Sequence, residues 1–156
     1  MFIHEQELFD YVYPLIKQIH NIPDNAKIKR KTHIRGLEVD AYIEWRKFYS
    51  NLNYYRNYSL ILELKISDID KLLEQLLARR HLALWCYGVL DLSLNDIITY
   101  TLNHHEKMYK IARAGIGLIT MYNVNGKPTP IILLRSKKRG NTLIEIIQKL
   151  LEVEGW

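Results

Sequence analysis

Asp40, Glu63 and Lys65 are the residues of this chain whose types and spacing could do chemistry. Asp40 lies in "GLEVDAYIEW" (36–45); Glu63 and Lys65 lie in "YSLILELKIS" (58–67), with 22 residues between the two carboxylates. Successive side chains of a strand point to opposite faces, so Glu63 and Lys65 share one face while Leu62, Leu64 and Ile66 share the other. If the two stretches pair as a hairpin, Asp40 approaches Glu63 and Lys65. Two carboxylates held about 4 Å apart repel by about 4 kcal/mol at an effective dielectric of about 20. Such a pair either raises one pKa or recruits a divalent cation. Two carboxylates, a backbone carbonyl and several waters are the oxygen ligands Mg²⁺ or Mn²⁺ prefers. A metal there polarises a phosphoryl oxygen and acidifies bound water, and a neighbouring lysine orients that water or stabilises developing negative charge. Phosphodiester hydrolysis needs those parts. The plain alternative is an ion pair at a solvated strand end.

Several elements must position these groups. Residues 3–20 carry apolar side chains at 8, 11, 12, 15, 16 and 19, a helical stripe that Pro14 is expected to kink or shorten. "NIPDN" (21–25) is a turn. Residues 27–45 read as one or two strands broken near Gly36, residues 46–57 as a polar, aromatic hairpin loop, and residues 58–66 as a strand. Asp68 is placed to cap a helix reaching about His81, with Ile69, Leu72, Leu73, Leu76 and Leu77 inward. "LALWCYGVL" (82–90) is a continuous apolar strand. A helix from Ser93 to about Ala114 follows, then two strands around an Asn-Gly turn at 125–126, then an amphipathic helix over about 141–153. The order describes one α/β domain over residues 1–156, a mixed central sheet flanked by helices.

At this point the chain resembles the PD-(D/E)XK nuclease superfamily, closest in layout to its archaeal, RecB-type and Holliday-junction-resolvase-like branches. The resemblance rests on "GLEVDAYIEW", "LILELK" and a following helix with Gln75 in "EQLLARR", and it runs from the first helix to about residue 122. It implies a restriction-endonuclease-like fold in which Asp40 and Glu63 bind Mg²⁺, with Mn²⁺ able to substitute. It also implies that the Leu64 carbonyl helps and that Lys65 is the catalytic lysine. The family often places a glutamate near the metal from the first helix, and Glu5 stands there. Val39 rather than proline precedes Asp40, and Arg79 stands where a tyrosine four residues after Gln75 would be.

Lys71, Gln75 and Arg79 recur at i, i+4 and i+8 and form one polar line on the helix after Lys65. Turned toward the site, that line lets Gln75 position a phosphate or water and lets Arg79 contact phosphate; otherwise it is a solvated face. The net charge is +5. Its clusters, "KIKRKTHIR" (27–35, with Lys29, Arg30, Lys31 and Arg35) and "RSKKRG" (135–140, with Lys137 and Lys138), crowd charge into short spans and suit phosphate contacts. Phe48, Tyr49, Tyr54, Tyr55 and Tyr58, interleaved with Lys47 and Arg56, could stack on unpaired bases or simply pack at strand ends. His104 and His105 point about 100° apart on a helix and share no ion easily.

The single cysteine, Cys86, excludes an internal disulfide and a cysteine-based zinc site and suits a reducing compartment. No apolar run approaches the roughly 20 residues that span a bilayer, and the first residues lack a signal-peptide layout. A soluble cytoplasmic protein, with DNA and no membrane as its partner, is expected. The Ile-, Tyr- and Lys-rich composition points to a prokaryotic cell, archaeal and thermophilic, or to one of its viruses. The leading expectation is a metal-dependent deoxyribonuclease. Its rivals are a catalytically inactive nuclease-fold protein that only binds nucleic acid, and a protein-interaction domain. A homodimer through helix 141–153 is a further expectation.

Overall fold

The computed structural model describes residues 4–139. The first helix, α1 (Glu7–His20), buries Leu8, Phe9, Val12 and Ile16 and runs unbroken through Pro14, so no kink divides it. Strands β1 (Lys27–Ile34) and β2 (Leu37–Tyr49) are joined by Arg35 and Gly36, both at positive φ, the conformation a two-residue hairpin turn requires. Strand β3 (Tyr54–Lys65) follows after a single 3₁₀ turn at Ser50–Leu52. The expected loop over 46–57 is therefore mostly strand. Its aromatic residues are good strand formers that pair across the hairpin, and only Ser50–Asn53 is left to turn the chain.

Helix α2 (Ile69–Arg79) begins where Asp68 accepts a hydrogen bond from the Lys71 amide at 3.1 Å, as the capping residue predicts. It buries Leu72, Leu73 and Leu76, while Leu77, expected inward, is exposed. A 3₁₀ turn at Arg80–Leu82 delays strand β4 to Trp85–Leu90, shorter than the apolar run suggested. The expected helix from Ser93 is two helices, α3 (Leu94–Asn103) and α4 (His105–Arg113). His104 breaks them with non-helical backbone (φ −135°, ψ 44°), its ring stacked on Tyr100. Strands β5 (Gly117–Val124) and β6 (Lys127–Leu134) form a hairpin on the Asn125-Gly126 turn. The helix expected over 141–153, and the dimer surface placed on it, lie outside the described residues.

The six strands form one mixed sheet in the order β1-β2-β3-β4-β5-β6. β1–β2, β2–β3 and β5–β6 are antiparallel, whereas β3–β4 and β4–β5 are parallel and need the helical crossovers α2 and α3–α4. On one face α1 packs on Ala41, Ile43, Leu60, Leu62, Leu64 and Val89; on the other, α2, α3 and α4 pack on Ile61, Cys86, Leu90 and Leu118. The expected α/β class and helix-flanked mixed sheet are both present. No helix of the described residues is long and apolar enough to cross a membrane.

Candidate active site

The sheet forks at the predicted carboxylates. Hydrogen-bonded pairing between β2 and β3 reaches Ala41↔Leu62 and stops. Beyond that point β2 continues only on β1 (Val39↔Thr32, Glu38↔His33), and β3 only on β4 (Glu63↔Gly88, Leu64↔Val89, Lys65↔Leu90). Asp40 and Glu63 are the first residues on either side of the split. The Asp40 carboxylate fills the gap, its Oδ2 accepting from the Leu64 amide at 2.7 Å. A side chain thus replaces the missing ladder bond and satisfies a buried N–H.

Helix α2 closes over Glu63. Gly88, the register partner of Glu63, makes this possible: a Cβ there would fall 2.5 Å from Leu76 Cδ1 and 3.1 Å from Leu72 Cδ2. Glu63 is left 2% exposed. Arg79 Nε lies 3.4 Å from Glu63 Oε1, but its single proton is aimed at the Glu38 carbonyl, 2.7 Å away. Glu63 Oε1 consequently has no hydrogen-bond donor, and the buried Gln75 Oε1 has none either.

Burial pushes the Glu63 carboxyl up to about 9, assisted by the charge of Asp40 and a hydrogen bond to it; Arg79 and Lys65 oppose the rise. Without a cation, the carboxylate pair therefore holds a proton at neutral pH. Glu63 Oε1, left without a donor, is an oxygen that could hold a hard cation in place of that proton. Among the described residues no group of three or more His, Cys, Asp and Glu side chains could hold a metal. Two carboxylates with main-chain oxygen and water suit Mg²⁺, which keeps much of its hydration shell. The residues present fit the ion.

Lys65 follows on β3. Its side chain is 13% exposed, Nζ lies 3.6 Å from Glu5 Oε1, and its carbonyl accepts from the Asp91 amide at 3.1 Å. Glu5 itself sits in the turn before α1 and tethers the lysine. Lys31 stands across from Asp40 in the β1–β2 register, and its φ of 47° is a left-handed conformation rare for a residue with a Cβ. His4, Glu5, Gln6, Lys31, Asp40 and Ile66 line an open cleft of about 360 Å³ that leads to the fork.

The other basic residues separate. Arg35 is exposed in the β1–β2 turn, at the fork end of the sheet. Lys29 pairs with Glu44 at 3.7 Å, and Arg30 donates to Gln6 and lies over the Phe9 ring, tying β1 to α1. Arg79 is an internal tie, 16% exposed, its Nε donating to the Glu38 carbonyl beside Glu63 and its Nη1 to the Gln75 carbonyl at 3.4 Å. Lys137 and Lys138 are far away. The Arg139 amide after them donates to the Leu84 carbonyl, before the start of β4, whereas Lys65 pairs with Leu90 at its end. Six residues of strand place those two points about 20 Å apart.

The chain matches no protein-family model, no curated protein and no solved structure. The reading of the site therefore rests on its geometry.

Two features gave no clear signal in the sequence. The pairing of Arg79 with Glu63 and Glu38 joins residues far apart in the chain, and only the spacing from Gln75 hinted at it. Arg80 is a structural clamp, donating to the carbonyls of Ala83, Ala114, Leu84 and Lys137. Nothing in "EQLLARR" marks that arginine as internal.

Proposed function

We propose that this chain is a metal-dependent deoxyribonuclease of the PD-(D/E)XK superfamily, with a restriction-endonuclease-like fold, cutting phosphodiester bonds to leave 5′-phosphate and 3′-hydroxyl ends. The observation that carries the reading is the fork, where Asp40 and the buried, proton-holding Glu63 stand together with Lys65 next on the same strand face. Asp40, Glu63 and the Leu64 carbonyl would hold Mg²⁺ or Mn²⁺. When bound, the ion supplies Lewis acidity toward a phosphoryl oxygen and a more acidic water.

The protein's own groups do the rest. Asp40 stays fixed by the Leu64 amide, so its other carboxylate oxygen can turn to the cleft. In its deprotonated form Glu63 would hold the ion through Oε1, beside which Arg79 Nε lies at 3.4 Å. Lys65 holds an ammonium beside the pair, steadied by Glu5, where it stabilises negative charge developing on the phosphate. Gln75, with its buried amide oxygen short of a donor, suits the positioning of a water or of a proton-bearing group. Lys31, at the mouth of the cleft, is the nearest exposed cation for a flanking phosphate.

The decisive experiment incubates supercoiled and linear DNA with the wild type and with Asp40→Ala, Glu63→Ala and Lys65→Ala, in Mg²⁺ and in chelator. Metal-dependent cleavage by the wild type alone is expected. DNA binding without any metal-dependent cleavage by the wild type would make this a binding module and defeat the proposal.

A further inference from the structure

The sheet carries an arm that its core does not need. β1 leaves β2 at Lys27↔Glu44, and β4 first meets β3 at Leu60↔Trp85. Between these limits β2 and β3 pair only with each other, through Trp45↔Tyr58, Arg46↔Asn57, Lys47↔Arg56, Phe48↔Tyr55 and Tyr49↔Tyr54. The Trp45↔Tyr58 pair is built into the core, Trp45 being buried and both rings stacked on Trp85. The four pairs beyond it make a two-stranded projection about 14 Å long, and such a ribbon is marginal on its own.

Its side chains are chemically consistent. Residues 45–61 contain no acid, and the arm carries Arg46, Lys47 and Arg56. Parity puts Arg46, Phe48 and Tyr55 on one face. There Phe48 and Tyr55 have ring centroids 4.7 Å apart and are 46% and 57% exposed, and the Arg46 guanidinium lies 4.9 Å over the Tyr55 ring. A polar cleft of about 710 Å³, lined in part by Lys27, Arg46, Tyr55 and Asn57 and by one acid, Glu44, opens at the foot of this face.

Half-exposed rings interleaved with cations fit one class of ligand. Unpaired bases offer flat π faces to the rings while their backbone offers phosphates to the cations; a duplex hides the former. We infer that the arm is a clamp for single-stranded nucleic acid, in which Phe48 and Tyr55 stack on bases and Arg46, on the same face, meets the backbone. Lys47 and Arg56 lie on the opposite face, over Tyr49 and Tyr58. Its role as part of a nuclease rests on the function proposed above. The arm then sets a span: Phe48 lies eight residues from Asp40 along β2, about 27 Å, or about eight stacked base steps. The substrate class is DNA with a single-stranded stretch at least that long.

The test is fluorescence anisotropy in chelator, where no cleavage occurs, with a labelled oligothymidine and a duplex of equal length. Phe48→Ala/Tyr55→Ala should weaken oligothymidine binding by about tenfold or more and leave duplex affinity within about twofold. Phe48→Leu/Tyr55→Leu, which keeps apolar bulk without a ring face, should weaken it similarly, whereas Tyr55→Phe should retain it. Unchanged oligothymidine binding, an equal loss on duplex, or conversion of a dimer to a monomer by the alanine pair would overturn the inference. The nuclease reading fails separately, if Mg²⁺ elicits no cleavage from a wild type that binds oligothymidine through its rings.

Discussion

The Leu64 amide donates to Asp40 Oδ2 over 2.7 Å, across the point where two strands of one sheet part company. One carboxylate oxygen thus does the work of a ladder carbonyl, and the proposed function asks the carboxylate to hold a cation as well. The two roles are separable. Asp40→Asn keeps an oxygen that can accept from Leu64, so thermal stability should stay close to wild type. Asp40→Ala leaves a buried amide without an acceptor and should cost about 1–3 kcal/mol. Both should lose metal-dependent cleavage by about 10²-fold or more. Thermal unfolding and plasmid nicking, measured on the same preparations, distinguish them. A stable Asp40→Asn variant that cuts at the wild-type rate would remove Asp40 from the site.

Glu63 makes stability depend on pH in an unusual direction. Its carboxyl titrates near 9 in the folded, metal-free protein and near 4.5 when unfolded. Between those values the folded state binds the proton that the unfolded state has released. The contribution is fully present below about 4.5 and is lost as pH rises toward about 9, at no more than about 1.4 kcal/mol per pH unit. In chelator, Glu63→Gln should remove this slope and be the more stable protein at pH 8. Added Mg²⁺ should raise the unfolding temperature of the wild type, more so at higher pH, and leave Glu63→Gln unmoved. Parallel pH–stability curves for the two proteins would show that Glu63 is not held protonated.

What the sequence disclosed and what it hid have physical causes. Asp40, Glu63 and Lys65 were legible as a cluster because strand alternation fixes which side chains share a face, and two strands next to each other in the chain pair readily. The start of α2 was legible because Asp68 caps it locally. The ribbon over 46–57 reads as a loop in the sequence because beyond the buried Trp45 neither of its faces is covered, so no apolar alternation marks it. The break at His104 lies in a segment whose only buried residues are Ile97 and Ile111, too sparse a pattern to fix a helix axis. Arg79 and Glu5 were named as site residues, but their ties to Glu63, the Glu38 carbonyl and Lys65 are tertiary contacts that no local spacing specifies.

Arg79 should act through Glu63. It lowers the Glu63 pKa, against the larger effects of burial and of Asp40. Arg79→Ala should therefore move the acid limb of the pH–cleavage profile upward, because Glu63 releases its proton less readily. DNA affinity in chelator should stay within about twofold, since a side chain already donating to the carbonyls of Glu38 and Gln75 contributes little to phosphate binding. Arg79→Lys has one charged nitrogen in place of a planar guanidinium and should not restore both contacts. A tenfold loss of DNA affinity with an unshifted pH profile would make Arg79 a phosphate contact.

The basic clusters should prove unequal for the same reason of placement. Lys31 faces the cleft beside Asp40 and Arg35 is exposed in the adjoining turn, so Lys31→Gln/Arg35→Gln should weaken duplex binding. If each reaches one phosphate, the slope of log affinity against log salt should fall by about 1.8. Lys137 contributes its main chain to the fold, its amide donating to Gly115 at 2.8 Å and its carbonyl accepting from Arg80 at 2.7 Å. Lys137→Gln keeps both bonds. It should leave stability, the salt slope and the cleavage rate near wild type, because its charge stands at the far end of the sheet from the fork. An equal effect of both substitutions on the salt slope would mean that DNA wraps the whole edge of the sheet, and a path confined to the cleft would have to be given up.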